Sequence, residues 1–155
     1  MTSETSLGLS DQAAAAFDST AEIPPGFFPY VSISPYIAHL GPMYQREDEN
    51  GLMVIGLRIG ESHLNLHRKA HGGMLAVLID NAYGYNIARV RQQSVVTAHL
   101  SIDYLEAVEP GDWLEAHVRL TKSGGRLCFA ECILRVGERE MVRANGILPI
   151  VKSAS

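Results

Sequence analysis

Residues 67 to 80, HRKAHGGMLAVLID, set a basic, glycine-bearing start against an apolar run that is broken by one carboxylate, Asp80. A carboxylate in such surroundings is costly unless it is hydrogen-bonded, faces a polar cavity or is protonated. Asp80 is therefore either a satisfied structural acid or a base or nucleophile in a cleft. At the other end of the run, the first N–H groups of a helix lack intrahelical partners and sit at the positive end of its dipole. Gly72 and Gly73 would leave those amides uncovered, so that a ligand carbonyl could approach and be stabilised as its oxygen becomes negative. Taken alone, the two glycines would only allow a tight turn into the helix.

Gly72 and Asp80 stand eight positions apart, which in a helix is about 12 Å along the axis. One reacting carbon cannot touch both. If both groups serve one reaction, they must come from different chains. The expectation is a two-fold dimer in which antiparallel helices bring the amide end of one beside the acid of the other.

The elements that position these groups follow from the hydrophobic pattern. A helix is predicted from about Gly72 to Arg91, apolar nearly all round and therefore expected inside the fold. Strands are predicted over 43–46 and 52–59, joined by the turn Glu47-Asp48-Glu49-Asn50-Gly51. Further strands are expected over 95–105, 113–121, 127–136 and 141–151, with short turns that favour antiparallel neighbours. One long helix and roughly six strands give an α+β hotdog arrangement, an antiparallel sheet wrapped around a central helix. Residues 1–40 are expected to form an arm, with a short helix at Ala13–Ala16 capped by Ser10 or Asp11 and a proline-rich stretch from 19 to 42 packed on the domain. Residues 41–155 are expected to form the single domain.

At 155 residues and 46% hydrophobic content, the chain has enough apolar surface for one core. Its net charge of −4 gives no overall field to attract nucleic acid or an anionic membrane, so phosphate binding should be local. No apolar run reaches membrane-spanning length and the start lacks a signal-peptide pattern, which predicts a soluble, cytoplasmic protein. Cys128 and Cys132 read as small core residues.

The segment from Asn65 through His71-Gly72-Gly73-Met74 to Asp80 resembles the signature of the hotdog-fold acyl-CoA thioesterases, in particular their PaaI-like branch. The resemblance continues through 96–104 and Glu109-Pro110-Gly111-Asp112 to the turn Lys122-Ser123-Gly124-Gly125-Arg126, covering about residues 41–150. It implies hydrolysis of an acyl- or aryl-CoA thioester with no metal and no cofactor beyond the coenzyme A of the substrate. Asp80 would be the general base or nucleophile and the Gly72 amide the oxyanion donor. Asn65 would position the water or the carbonyl, His71 would brace the oxyanion loop, and Thr97 would stand near the acid and the water. The active unit would be a homodimer, commonly paired again into a homotetramer.

One position departs from the pattern: many relatives carry Gly three residues after the Asn, where this chain has Arg68. The loop would then follow another path, or Arg68 and Lys69 would meet coenzyme A phosphates, a role that also suits Lys122, Gly124 and Arg126. Gly73 would lie against the substrate. The acyl pocket is expected to draw on the helix face around Tyr83 and Asn86 and on the proline-rich arm. Three other readings stay open. His63, His67 and His71 would share one face of a continuous helix as a metal site; His71 with Asp80 would suit an acyl-CoA hydratase or dehydratase; and the fold would also serve a non-catalytic acyl-CoA binding module.

Overall fold

The computed structural model describes residues 21–152, so the helix expected at Ala13–Ala16 lies outside the described residues. The elements run β1 (Phe28–Tyr30), β2 (Met43–Glu47), β3 (Met53–Arg58), α1 (Gly72–Arg91), β4 (His99–Tyr104), β5 (Trp113–Ser123), β6 (Leu127–Val136) and β7 (Arg139–Pro149). All seven strands join one antiparallel sheet in the order β1-β2-β3-β5-β6-β7-β4. The helix is the crossover that carries the chain from β3 to the far edge, where β4 pairs with β7.

The strand beyond the six expected is β1, three residues of the proline-rich arm paired with Met43–Gln45 of β2. Its middle residue is Pro29, which an edge strand tolerates because a proline has no N–H to give to the ladder. The β2–β3 turn is made as its sequence suggests. Gly51 takes φ 78°, and the Asp48 carboxylate accepts from the N–H groups of Asn50 and Leu52 at 2.8 and 2.9 Å.

The helix occupies the predicted span. It begins at a His71 cap and ends at Gln92 in the left-handed region, whose N–H returns to the Ala88 carbonyl. Arg89 and Arg91 lie in its last turn, where positive charge suits the dipole. Leu75, Leu78, Ile79, Ala82, Tyr83 and Ile87 bury one face against β3, β5 and β6. The opposite face differs from the expected all-round burial: Ala76, Val77 and Gly84 are half-buried, and Asp80 and Ala88 are exposed. The sheet covers one side of a cylinder only, which leaves a small-residue apolar surface open along the other. No helix among the described residues is long and apolar enough to cross a membrane.

Candidate active site

The start of α1 is a hydrogen-bonded cap that leaves two backbone donors of its first turn unclaimed. His71 is the N-cap, and its Nδ1 accepts the Gly73 N–H at 2.9 Å. The Gly72 carbonyl, on the same peptide unit as that N–H, accepts from the Tyr104 hydroxyl at 2.8 Å. The His71 carbonyl accepts the Leu75 N–H at 3.1 Å, and the His71 N–H goes to the His63 carbonyl at 2.8 Å. What remains are the N–H groups of Gly72 and Met74; the first belongs to a peptide whose carbonyl is already polarised by Leu75, a situation that strengthens a donor. Gly73 was expected to offer its amide to the substrate, but the cap contact occupies it.

The loop before the helix is fixed by Asn65. Its Oδ1 accepts the N–H groups of His67 and Lys69 at 2.9 and 3.1 Å, and its own N–H meets the Lys69 carbonyl at 2.8 Å. Arg68 completes this turn at φ 58°. At the position of the departure noted in the sequence, arginine takes the left-handed conformation that glycine adopts freely. Its guanidinium reaches Glu61 at 2.6 Å, which raises its affinity for the proton, and Lys69 Nζ reaches Glu109 at 2.6 Å. Asn65, Lys69, Gly72 and Tyr104 line one cavity of about 390 Å³.

A second cluster lies along the helix. Asp80 Oδ1 accepts a hydrogen bond from the Thr97 hydroxyl, so the acid is compensated by a side chain from the segment just before β4. Both residues are exposed in the single chain, and the cost of burial expected for Asp80 does not arise there. Asp80 opens onto a cavity of about 760 Å³ between α1, the arm and residues 94–100. The arm wall is held by Tyr30. Its hydroxyl donates to Asn81 Oδ1 at 3.2 Å, and its ring meets Tyr85 edge-on at 5.0 Å.

The structure therefore assembles Asn65, His71, Gly72 and Gly73 at one place, and Asp80 with Thr97 at another. Tyr83 and Asn86 belong to neither. Tyr83 is 0% exposed, its ring laid against Gly146, where an added Cβ would come within 2.8 Å. Burial pushes its hydroxyl well above the ordinary phenol range. Asn86, also 0% exposed, ties the helix to β3, accepting from the Met53 N–H at 2.7 Å and donating to the Met53 and Ala82 carbonyls. Neither side chain reaches the cavity wall, where Asn81, Gly84 and Tyr85 stand instead. The turn carrying Lys122, Gly124 and Arg126 lies at the far end of α1, held by Arg91, whose guanidinium donates to Ser123 Oγ at 2.6 Å. The 20 residues of α1, about 30 Å of helix, lie between this turn and Arg68 and Lys69.

The three histidines do not share a helix face. His63 closes a short 3₁₀ turn, and α1 begins only at Gly72. His63 is buried, its Nδ1 accepting the Gly60 N–H and its Nε2 facing the Leu40 carbonyl at 2.8 Å. Among the described residues no group of three His, Cys, Asp or Glu side chains is placed to hold a metal. Tyr104, Tyr30 and Gly84 carried no role in the sequence reading. Their partners lie 32 and 51 positions away, or in empty space, and neither kind of relation leaves a local pattern.

Residues 67–142 match the family model of the thioesterase superfamily. A Pseudomonas aeruginosa protein that carries an esterase name is 41% identical over 127 residues, spanning 81% of this chain and 95% of its own length. The chain belongs to the thioesterase superfamily. Solved structures agree on the hotdog fold of this superfamily. A Bacillus halodurans protein determined with CoA superposes with a TM-score of 0.71 at 25% identity, over 80% of this chain and 83% of its own. Zebra fish thioesterase superfamily member 2 superposes with a TM-score of 0.70 at 23% identity, over 77% and 89%. Thioester hydrolysis is the general chemistry that superfamily membership supports, and the matched region contains the cap, the helix and the Asp80–Thr97 pair.

Proposed function

We propose that the protein hydrolyses an acyl- or aryl-CoA thioester to the free acid and coenzyme A, in a site built from two copies of the chain. The observation that carries this reading is the unclaimed Gly72 N–H, flanked by a peptide that His71 and Tyr104 hold from both sides. Such an amide is shaped to receive an oxyanion. The acid that would work with it stands eight residues along a rigid helix, about 12 Å away, so it is supplied by the second copy, helix antiparallel to helix. Among the described residues, the part of the open α1 face around Ala76 and Val77, midway between Gly72 and Asp80, and the edge of β4 away from β7 offer the surface for that pairing. A dimer is the active unit, and pairing of dimers into a tetramer is compatible with it.

In this reading Asp80, held through Oδ1 by Thr97, either takes a proton from water through Oδ2 or attacks the thioester carbon itself. The carbonyl oxygen becomes negative against the Gly72 N–H and the carbon–sulfur bond breaks; on the first route the thiolate takes the proton that Asp80 received from water, and on the second water then cleaves the mixed anhydride on Asp80, freeing the acid and supplying the thiolate's proton. Asn65 holds the loop, and His71 acts as the cap that orients it. Lys122 and Arg126 are the preferred phosphate contacts, because Arg68 and Lys69 already pair with carboxylates. No resident cofactor is needed for these steps. A hydratase would use a histidine as acid or base, whereas the steps above draw on His71 only as a cap.

The test is thiol release across short, medium, long and aromatic CoA esters. Asp80→Asn keeps the shape and removes the base, and its kcat should fall by about 100-fold or more. Thr97→Ala should lose less, since it orients the acid without replacing it. Wild-type turnover in Asp80→Asn would sink the assignment, and water addition to an enoyl-CoA without thiol release would replace it with hydration.

A further inference from the structure

A helix interior gains nothing from glycine unless the backbone needs its freedom or another group needs its space, and otherwise glycine only weakens the helix. Two other glycines of this chain are explained by close approach. A Cβ at Gly56 would come within 2.5 Å of the Trp113 ring, and one at Gly146 within 2.8 Å of Tyr83. Gly84 has no such reason. It lies in the middle of α1 with no positive φ, and a Cβ built on it meets nothing within 4 Å. The room above it is used by no other described residue.

That room is continuous with the catalytic acid. Gly84 stands four residues after Asp80, on the same helix face, and both line the cavity of about 760 Å³. Tyr30 and Ile37 of the arm wall this space on one side, and Val95 and Leu100 on the other. Its volume is that of a small-molecule site. Beyond Gly84 the floor continues to Ala88, about 12 Å from Asp80 along the axis. An apolar trough of this length, opening at a carboxylate, fits the tail of an acyl group whose carbonyl carbon is presented to Asp80.

We propose that Gly84 is a specificity-determining residue: it holds open an acyl subsite over α1 and selects thioesters whose apolar group extends at least one helical turn past the reacting carbon over short ones. The proposal rests on the thioesterase reading above and adds to it which acyl groups are preferred.

The experiment uses two CoA thioethers that cannot be hydrolysed, S-octyl-CoA and S-ethyl-CoA, titrated calorimetrically into the full-length protein, Gly84→Ala and Gly84→Leu. Wild type should bind the octyl compound about 100-fold more tightly, because most of the added methylenes enter the trough. Gly84→Leu should cut that preference at least tenfold, and Gly84→Ala by less, while Gly84→Ala melts higher as the better helix former. A wild-type preference below tenfold, or one that survives Gly84→Leu unchanged, overturns the inference. So does an equal loss for both compounds with a halved solution mass, which would give the space to a second copy of the chain. Thiol release by wild type is scored separately. A chain-length preference without turnover removes hydrolysis and leaves the subsite; turnover without the preference does the reverse.

Discussion

The Tyr104 hydroxyl donates to the Gly72 carbonyl at 2.8 Å, and its ring lies 3.3 Å from where a Cβ on Gly72 would stand. The edge strand β4 thus holds the peptide that follows the free amide, while His71 holds the same peptide by its N–H. The two contacts fix the direction of the Gly72 N–H. Tyr104 is 53% exposed, so loss of its hydroxyl should cost about 1 kcal/mol of stability or less. Tyr104→Phe is expected to lower kcat about tenfold with KM within twofold, since the oxyanion exists only in the transition state. Gly72→Ala, which pushes the same ring aside, should show a similar loss. The double variant should be no worse than the poorer single one, because both act through one peptide. Additive losses in this cycle would separate Tyr104 from the oxyanion donor.

Arg68 sits at φ 58°, a conformation that costs an L-residue more than glycine. Its ion pair with Glu61 is exposed on both sides, 66% and 52%, and such pairs add little. Arg68→Gly should therefore raise the melting temperature, by about 2 °C, and leave KM for CoA esters within twofold. A tenfold rise in KM would instead assign the guanidinium to a coenzyme phosphate.

What the sequence made legible was periodicity and spacing. The helix could be read to its ends because Gly72-Gly73 and the run to Arg91 are local signals, and the eight-residue step to Asp80 could be converted to a distance without a structure. The β2–β3 hairpin could be read from Asn50-Gly51. β1 could not, because Phe28-Pro29-Tyr30 carries a proline that excludes a central strand, and only its partner β2 makes it an edge strand. The pocket wall was misplaced by about one helical step. On a helix whose faces are both apolar, the sequence does not say which face the sheet will take, so Tyr83 and Asn86 could not be told from Asn81 and Gly84.

His63 makes stability depend on pH. Burial holds its imidazole below the ordinary value of 6.5, and the hydrogen bond with the Leu40 carbonyl opposes this only in part. With Nδ1 accepting from Gly60, the folded state keeps the ring neutral with its proton on Nε2. The unfolded chain takes up a proton as pH falls below about 6.5 and the folded chain does not, so stability is present above that pH and declines below it. Glu115 and Glu140 add a separate loss at lower pH. Burial raises the Glu115 carboxyl, but hydrogen bonds from His117 and Trp113 and the charge of Arg46 bring it below its usual 4.5; Arg143 lowers Glu140. Denaturant midpoints should fall between pH 7 and 5.5. His63→Gln, less stable at pH 7 by about 1–3 kcal/mol, should show a flatter profile in that window, and an unchanged slope would remove His63 from the account.

The division of the site between two chains has its own signature, independent of any single variant. Asn65→Ala damages the loop that carries the Gly72 donor, and Asp80→Asn removes the acid. Each homodimer has two broken sites. In a mixed dimer one site joins the intact acid of the first chain to the intact loop of the second, while the other site carries both defects. Unfolding and refolding the two variants together in equal amounts makes half the dimers mixed, each with one working site, so about a quarter of wild-type turnover should return. If each active site lay within one chain, no combination of the two proteins would recover activity above the sum of the separate variants. Recovery of thiol release on mixing, read against the same proteins refolded apart, decides whether the 12 Å between Gly72 and Asp80 is bridged by the partner (about 1.5 Å for each of eight residues).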